Sequence, residues 1–221
     1  MSPTENIFRT AASGDAAAIR HALDDLDRPP SRVWNDEGIS LPLYALYGGL
    51  SPALEALEPY AEGFTIHEAA ALGRIARLRA CLAAAPWSID TLSLDGWTPL
   101  HLAAFFAQDE AVRTLLDQGA DPNLYGRAFE RNLPLHASCA GRLKKPKVVA
   151  LLIPVTADLD ARQGGGWTPL MLAAANDMAE SLTQLLQAGA DRSLTNDEGQ
   201  TAHDIAAKYK REEILRQLDG H

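Results

Sequence analysis

Positive charge is scarce in this chain: Lys and Arg number 20 against 29 Asp and Glu, for a formal net charge of −9. A surface that neutralises phosphates needs the opposite balance, so nucleic acid is excluded as the main partner. Cysteine is nearly absent, with Cys81 and Cys139 in separate segments and no Cys-x-x-Cys pair. That excludes a disulfide framework and a thiolate metal knuckle, and it predicts two buried, unpaired thiols suited to a reducing cytoplasm. No apolar run is long enough to span a membrane, and Met1-Ser2-Pro3-Thr4-Glu5 has neither a basic nor an apolar leader region. The expectation is a soluble cytoplasmic protein with no membrane partner. Abundant alanine and arginine with sparse lysine look like a chain from a GC-rich bacterium.

What the chain does have is repetition. Gly96-Trp97-Thr98-Pro99-Leu100-His101-Leu102-Ala103-Ala104 returns as Gly166-Trp167-Thr168-Pro169-Leu170-Met171-Leu172-Ala173-Ala174. Each copy is followed by a Leu-Leu pair and then Gly-Ala-Asp, at 115–116 and 119–121 and again at 185–186 and 189–191. Fainter copies lie at Ile66-His67-Glu68, Leu133-Pro134-Leu135-His136 and Thr201-Ala202-His203-Asp204. The series His67, His101, His136, Met171, Asp204 steps by 34, 35, 35 and 33 residues. A self-similar period of this length means stacked supersecondary units sharing one elongated core.

Each repeated residue has a physical role. Thr98, Thr168 and Thr201 can cap a helix through their hydroxyls, and Pro99 and Pro169 suit the first helical turn, where an N–H is dispensable. Leu100, Leu102, Ala103 and Ala104 give that short helix an apolar side that a neighbour can approach closely. Ala111, Val112, Leu115 and Leu116, and later Ala179, Leu182, Leu185 and Leu186, mark one face of a second helix. Gly119 and Gly189 supply its left-handed stop. Asp95-Gly96 and Asp121-Pro122-Asn123 read as turns linking one unit to the next.

Period and wording together resemble the ankyrin repeat, from about residue 62 to the end. The resemblance implies an all-α repeat solenoid of stacked helix-turn-helix units with β-hairpin-like fingers, about five clear repeats plus one or two degenerate units at the start. It also implies that His67, His101 and His136 hydrogen-bond within the framework, and that partners bind the finger tips and the concave face of the first helices. Residues 1–62 are expected to be degenerate capping repeats and 63–221 the repeats proper with a closing cap. From Tyr44 to the equivalent His67 the step is only 23 residues, about one finger short, with a tight connection at Pro59 to Gly63. The unit from Arg127 to Ala161 is instead lengthened, in its finger and in Gly141-Arg142-Leu143-Lys144-Lys145-Pro146.

Chemistry is hard to find. His67-Glu68 lacks the second histidine of a zinc-protease helix, and Gly164-Gly165-Gly166 lacks the Lys-Ser/Thr ending or spacing of a phosphate loop. Ser13 and Ser138 have no nucleophile-elbow context, the cysteines lack an activating partner, and acid pairs such as Asp24-Asp25 and Glu212-Glu213 fit solvated faces. The expectation is no catalytic residue, no cofactor and no metal.

Function should then reside in the letters the copies do not share. Leu92, Leu94, Trp97, Phe105, Phe106, Tyr125, Arg127, Phe129, Arg131, Arg142, Arg162 and Trp167 form the candidate partner-binding set, because exposed aromatics and arginines bury large areas with few rotatable bonds. The leading expectation is a monomeric, non-enzymatic protein-interaction scaffold with no small-molecule substrate. Two alternatives are a regulatory subunit or inhibitor that docks its basic 127–147 stretch (Arg127, Arg131, Arg142, Lys144, Lys145, Lys147) on an acidic enzyme cleft, and a bacterial host-directed effector. A last alternative is intrinsic catalysis or small-ligand binding at the irregular junction near Tyr44–Phe64, where Trp34, Tyr44, Tyr47 and Tyr60 gather.

Overall fold

The structure is a computed structural model that describes residues 3–127, 131–141, 143–144 and 146–220. Among the described residues it is an all-α solenoid of seven helix pairs. The pairs are α1 (Pro3–Ser13) with α2 (Ala16–Asp24), α3 (Leu41–Gly48) with α4 (Ser51–Leu57), α5 (Ile66–Ala71) with α6 (Ile75–Ala84), and α7 (Pro99–Phe105) with α8 (Asp109–Asp117). They continue as α9 (Pro134–Ala140) with α10 (Pro146–Leu152), α11 (Pro169–Ala175) with α12 (Ala179–Gln187), and α13 (Ala202–Lys208) with α14 (Glu212–Gly220).

The repeated words start the first helix of each pair. Thr98, Thr168 and Thr201 Oγ1 accept the N–H groups of His101, Met171 and Asp204 at 3.2–3.3 Å. Thr65 does the same for Glu68, whose Oε2 accepts the Thr65 N–H in return at 2.7 Å, completing a capping box. Leu133 stands where a threonine would, and there His136 Nδ1 takes over by accepting the Leu133 N–H at 3.2 Å. The first helices pack in one row from α1 to α13 and the second helices in another, so that Leu100, Leu102, Leu135 and Leu170 are all but inaccessible. Burying one such leucine contributes roughly 1.5–3 kcal/mol.

Two features break the regularity. No finger precedes α5: the 3₁₀ turn Glu58–Gly63 leads directly through Phe64 into the cap at Thr65, and the second-helix row is interrupted between α4 and α6. Arg77 Nε ties α6 to this turn by donating to the Phe64 carbonyl at 2.7 Å, and Arg74 pairs with Glu58. The buried residues accordingly fall into two clusters, one running from Ile7 to Phe64 and a larger one from Leu43 to Leu218, with α3 contributing to both.

The fingers are hairpin-like but, among the described residues, carry no strands. Each is one reverse turn: the N–H of Asn35, Ser93, Gln163 or Asn196 donates to the carbonyl four residues on, at 2.8–3.0 Å. Five residues closed by this bond and by the fourth residue's N–H donating to the first residue's carbonyl are too short for a strand ladder, and the described residues contain isolated bridges, Trp34 with Ser40 and Gln163 with Trp167, in place of strands. The finger of the fifth unit is longer, its bond running from Gly126 N–H to the Asn132 carbonyl at 2.8 Å.

Candidate functional site

The conserved-looking histidines are consumed in holding the fingers. His67 Nε2 donates to the Thr91 carbonyl at 2.8 Å and His136 Nε2 to the Ala161 carbonyl at 2.8 Å, each reaching the chain two residues ahead of the next finger. His101 instead donates to the Asn132 carbonyl at 3.0 Å, on the outgoing side of the lengthened finger, while Thr98 Oγ1 donates to its Nδ1 at 2.7 Å. Burial drives the pKa values of His101 and His136 down to about 4, so both rings are neutral and fixed in one tautomer at neutral pH. Such rings are mortar. Cys139 is likewise inert, its thiol pushed up to about 12 by complete burial, and Cys81 is raised by the same cause.

With the framework assigned, the candidate residues separate sharply. Trp97, 3% exposed, packs edge-on against His101 and Phe105. Phe106 is 8% exposed and Phe105 half-buried, and both meet the ring of Tyr47 from α3, at centroid distances of 5.1 and 6.1 Å. The two phenylalanines were not expected to face the core together. They do because α7 is packed between two neighbouring units and Tyr47 covers both rings. Trp97 and Phe106 are therefore framework, and among the described residues the aromatic strip drawn from the sequence is not continuous at the surface. Trp167 and Leu92 are half-buried, Trp167 against the core.

The residues that do reach solvent are Leu94, Tyr125, Arg127, Arg131 and Arg162. Phe129 and Arg142 lie outside the described residues. Arg131 stacks its guanidinium over the Tyr125 ring at 4.7 Å, a cation–π contact that presents a flat, pre-ordered surface. Arg162 donates to the Thr195 carbonyl at 2.6 Å and lies 3.6 Å from Asp197, joining the next two fingers. Tyr125, Arg131 and Arg162 line one open groove of about 600 Å³ with Gln163 to Gly166 and Asp197. Gly166, at φ 72°, has Asp197 and Arg162 so close that a Cβ would overlap both, which brings the two fingers together. Neither Gln163 nor Asp197 is among the candidates named from the sequence, and no signal in one sequence marks them.

The first helices of the three units around the groove offer almost nothing to a partner. In α7, α9 and α11 every residue is buried except the last, half-buried Phe105, Ala140 and Ala175. The basic 127–147 stretch is also divided: Lys144 pairs with Asp177 at 2.8 Å and Lys147 with Asp109 at 3.5 Å, each on a flanking unit, which leaves Arg127 and Arg131 as its described finger members. The junction aromatics do not gather either. Tyr44 packs on Phe8 at 5.0 Å, while Tyr47 turns the other way to Phe105, Phe106 and Asp95. Among the described residues no group of three His, Cys, Asp or Glu could hold a metal ion, and no helix is long and apolar enough to cross a membrane.

Comparison with known proteins agrees with this architecture. Residues 135–219 match a family model described as ankyrin repeats (3 copies), and residues 95–127 match the single ankyrin repeat model. The chain is 44% identical over 96 residues to human neurogenic locus notch homolog protein 4, covering 43% of this chain and 5% of that protein. It is similar also to human neurogenic locus notch homolog protein 2, 37% identical over 112 residues, and to zebrafish (Danio rerio) notch homolog protein 1, 37% over 113, each match covering 51% of this chain and 4% of the relative. The matched stretch thus spans about a twentieth of these relatives.

Proposed function

We infer that this chain, which belongs to the ankyrin-repeat family through residues 95–127 and 135–219, is a non-enzymatic interaction scaffold that docks a partner protein along its finger edge. One observation carries the reading: α7, α9 and α11 are used up in packing, and the groove lined by Tyr125, Arg131 and Arg162 is where candidate aromatic and arginine side chains remain available together. Ankyrin repeats generally mediate protein–protein interaction, and repeat arrays put their variable letters on such edges. Docking there is by shape, with the Tyr125–Arg131 stack as a rigid anchor and Arg162 offering guanidinium donors.

Replacing Tyr125, Arg131 and Arg162 together by Ala should abolish capture of the partner while the melting temperature stays within a few degrees of wild type. Capture undiminished by the triple variant would overturn the assignment. The alternative of an enzyme regulator docked through the basic 127–147 stretch is supported by exposed Arg127 and Arg131 alone. It predicts steep weakening of the complex between low and high salt. A reducing, cytoplasmic setting suits the two unbridged thiols, and a monomer suits an array with a solvated helix at each end. Alanine and arginine content is the sole ground for a bacterial origin, the relatives above being animal proteins.

A further inference from the structure

Four of the five fingers place glycine at one and the same position. It is the residue just before the bond that closes the turn, Gly38, Gly96, Gly166 or Gly199, with φ between 72° and 88°. Glycine suits that left-handed conformation, which other residues adopt at a cost. The fifth unit has Arg131 there instead, at φ 72°, just before Asn132 closes the lengthened finger. Other left-handed non-glycine residues, Ala107, Asp177 and Lys210, follow a first helix at the turn that each unit repeats. Among the described residues Arg131 alone takes this conformation inside a finger. Strain of this kind persists where the side chain is needed, and folding does not use this one. Its guanidinium is exposed, lies over the Tyr125 ring at 4.7 Å, and makes no hydrogen bond or ion pair with a described residue.

The surroundings of Arg131 specify what its donors are for. Arg131 lines the open groove together with Tyr125, Arg162, Gln163 to Gly166 and Asp197. Arg162 reaches both the Thr195 carbonyl and Asp197 through Nη2, so its Nε and Nη1 donors have no acceptor among the described residues. Two guanidiniums thus bring unused donors to one groove against a single carboxylate, Asp197, on a chain whose net charge is −9. The surplus of one positive charge matches an aspartate or glutamate side chain and falls short of a phosphoryl group at about −1.5 to −2. Guanidinium forks take carboxylates through parallel hydrogen bonds, and the Tyr125 ring orders one fork before anything binds. Gly164, Gly165 and Gly166 line the groove without side chains, which leaves room for a peptide backbone beside them. We propose that the groove receives an aspartate or glutamate side chain from an acidic segment of the partner protein, its carboxylate taken by the Arg131 and Arg162 guanidiniums.

This rests on the reading that the groove faces a protein, and it adds the chemistry that the groove accepts. An acetylated, amidated Gly-Gly-Glu-Gly-Gly peptide is titrated into the ¹⁵N-labelled full chain while the Gly164–Gly166 amides and the arginine Nε–H signals are followed. The three glycines, Arg131 and Arg162 should shift and saturate in the millimolar range, as expected for one side chain. The same peptide with glutamine at its centre should give no saturable shift. Arg131→Gly should weaken binding by about tenfold or more, while its urea midpoint stays level with wild type or rises, glycine being what the other four fingers use. Arg162→Gln should weaken binding by a similar factor. Equal shifts from the glutamine peptide, or affinity held within about twofold in Arg131→Gly, would overturn the proposal. A lower urea midpoint in Arg131→Gly would overturn it as well, by assigning the arginine to folding. A phosphoserine peptide binding about tenfold tighter than the glutamate peptide would overturn the carboxylate and assign a phosphopeptide. A glutamate peptide that does not bind, beside capture lost in the Tyr125, Arg131 and Arg162 triple variant, sinks the acidic occupant and leaves the groove reading standing. Capture undiminished in that variant sinks the groove reading and, with it, the partner as source of the carboxylate.

Discussion

Acid should loosen this array well before its carboxylates titrate. His101 and His136 are buried as neutral rings with pKa values near 4, against about 6.5 in the unfolded chain, the chief cause being burial. A histidine whose native pKa is depressed stabilises fully above its unfolded pKa, and that contribution is lost as pH falls through the unfolded value towards the native one. At pH 5 the unfolded state has bound nearly a full proton at each site and the native state almost none, so each ring costs about 2 kcal/mol and the pair about 4. That is a large share of the roughly 5–15 kcal/mol of a typical domain. Burial raises the Glu68 pKa, so Glu68 works the other way over part of this window, whereas the lowered carboxyls of Asp191 and Asp204 lose their contribution only at lower pH. Urea unfolding of wild type and of His136→Gln at pH 7 and pH 5 isolates one ring. The variant starts less stable, because the bond to the Ala161 carbonyl is gone, but its further loss on going to pH 5 should be smaller by about 2 kcal/mol. An identical pH-dependent loss in both proteins would refute the reasoning.

Three further outcomes are expected. Gly141→Ala should destabilise by about 1–3 kcal/mol, measured by denaturant midpoint, because a Cβ there overlaps the Phe105 carbonyl oxygen of the neighbouring first helix. Lys210→Gly should stabilise by about 0.5–1 kcal/mol, since exposed Lys210 holds φ at 56°, whose cost exceeds the entropy of a glycine. Ala107→Gly, at the equivalent turn and φ, should gain less than Lys210→Gly by about 0.8 kcal/mol because it also surrenders a buried methyl.

Much of the fold was legible because the repeats carry their own grammar. Thr-Pro at 98–99 and 168–169 announced capped helices, the leucine spacing announced their partners, and the 23-residue step to His67 announced a missing finger. What a single sequence could not show was which way adjacent letters point. Trp97 lies next to a turn and reads as surface, but its ring packs on that of His101, four residues on, and on that of Phe105, eight residues on. Phe105-Phe106 was misjudged for the same reason: a helix packed between two neighbouring units buries successive residues, as Leu102, Ala103 and Ala104 show, and the sequence alone does not reveal that Tyr47 covers the next two. The lengthened finger was visible from 127 to 131, yet its consequence, the transfer of the His101 bond to Asn132, is a matter of three-dimensional reach.

The central claim is that finger residues bind and framework residues fold. It is tested most directly by quantifying, on one partner isolated with the wild-type chain, capture by the Tyr125→Ala/Arg131→Ala/Arg162→Ala variant beside the melting temperature of each protein. The account predicts capture lost with the melt unchanged. Capture retained in full, or lost only in step with the melt, would contradict it.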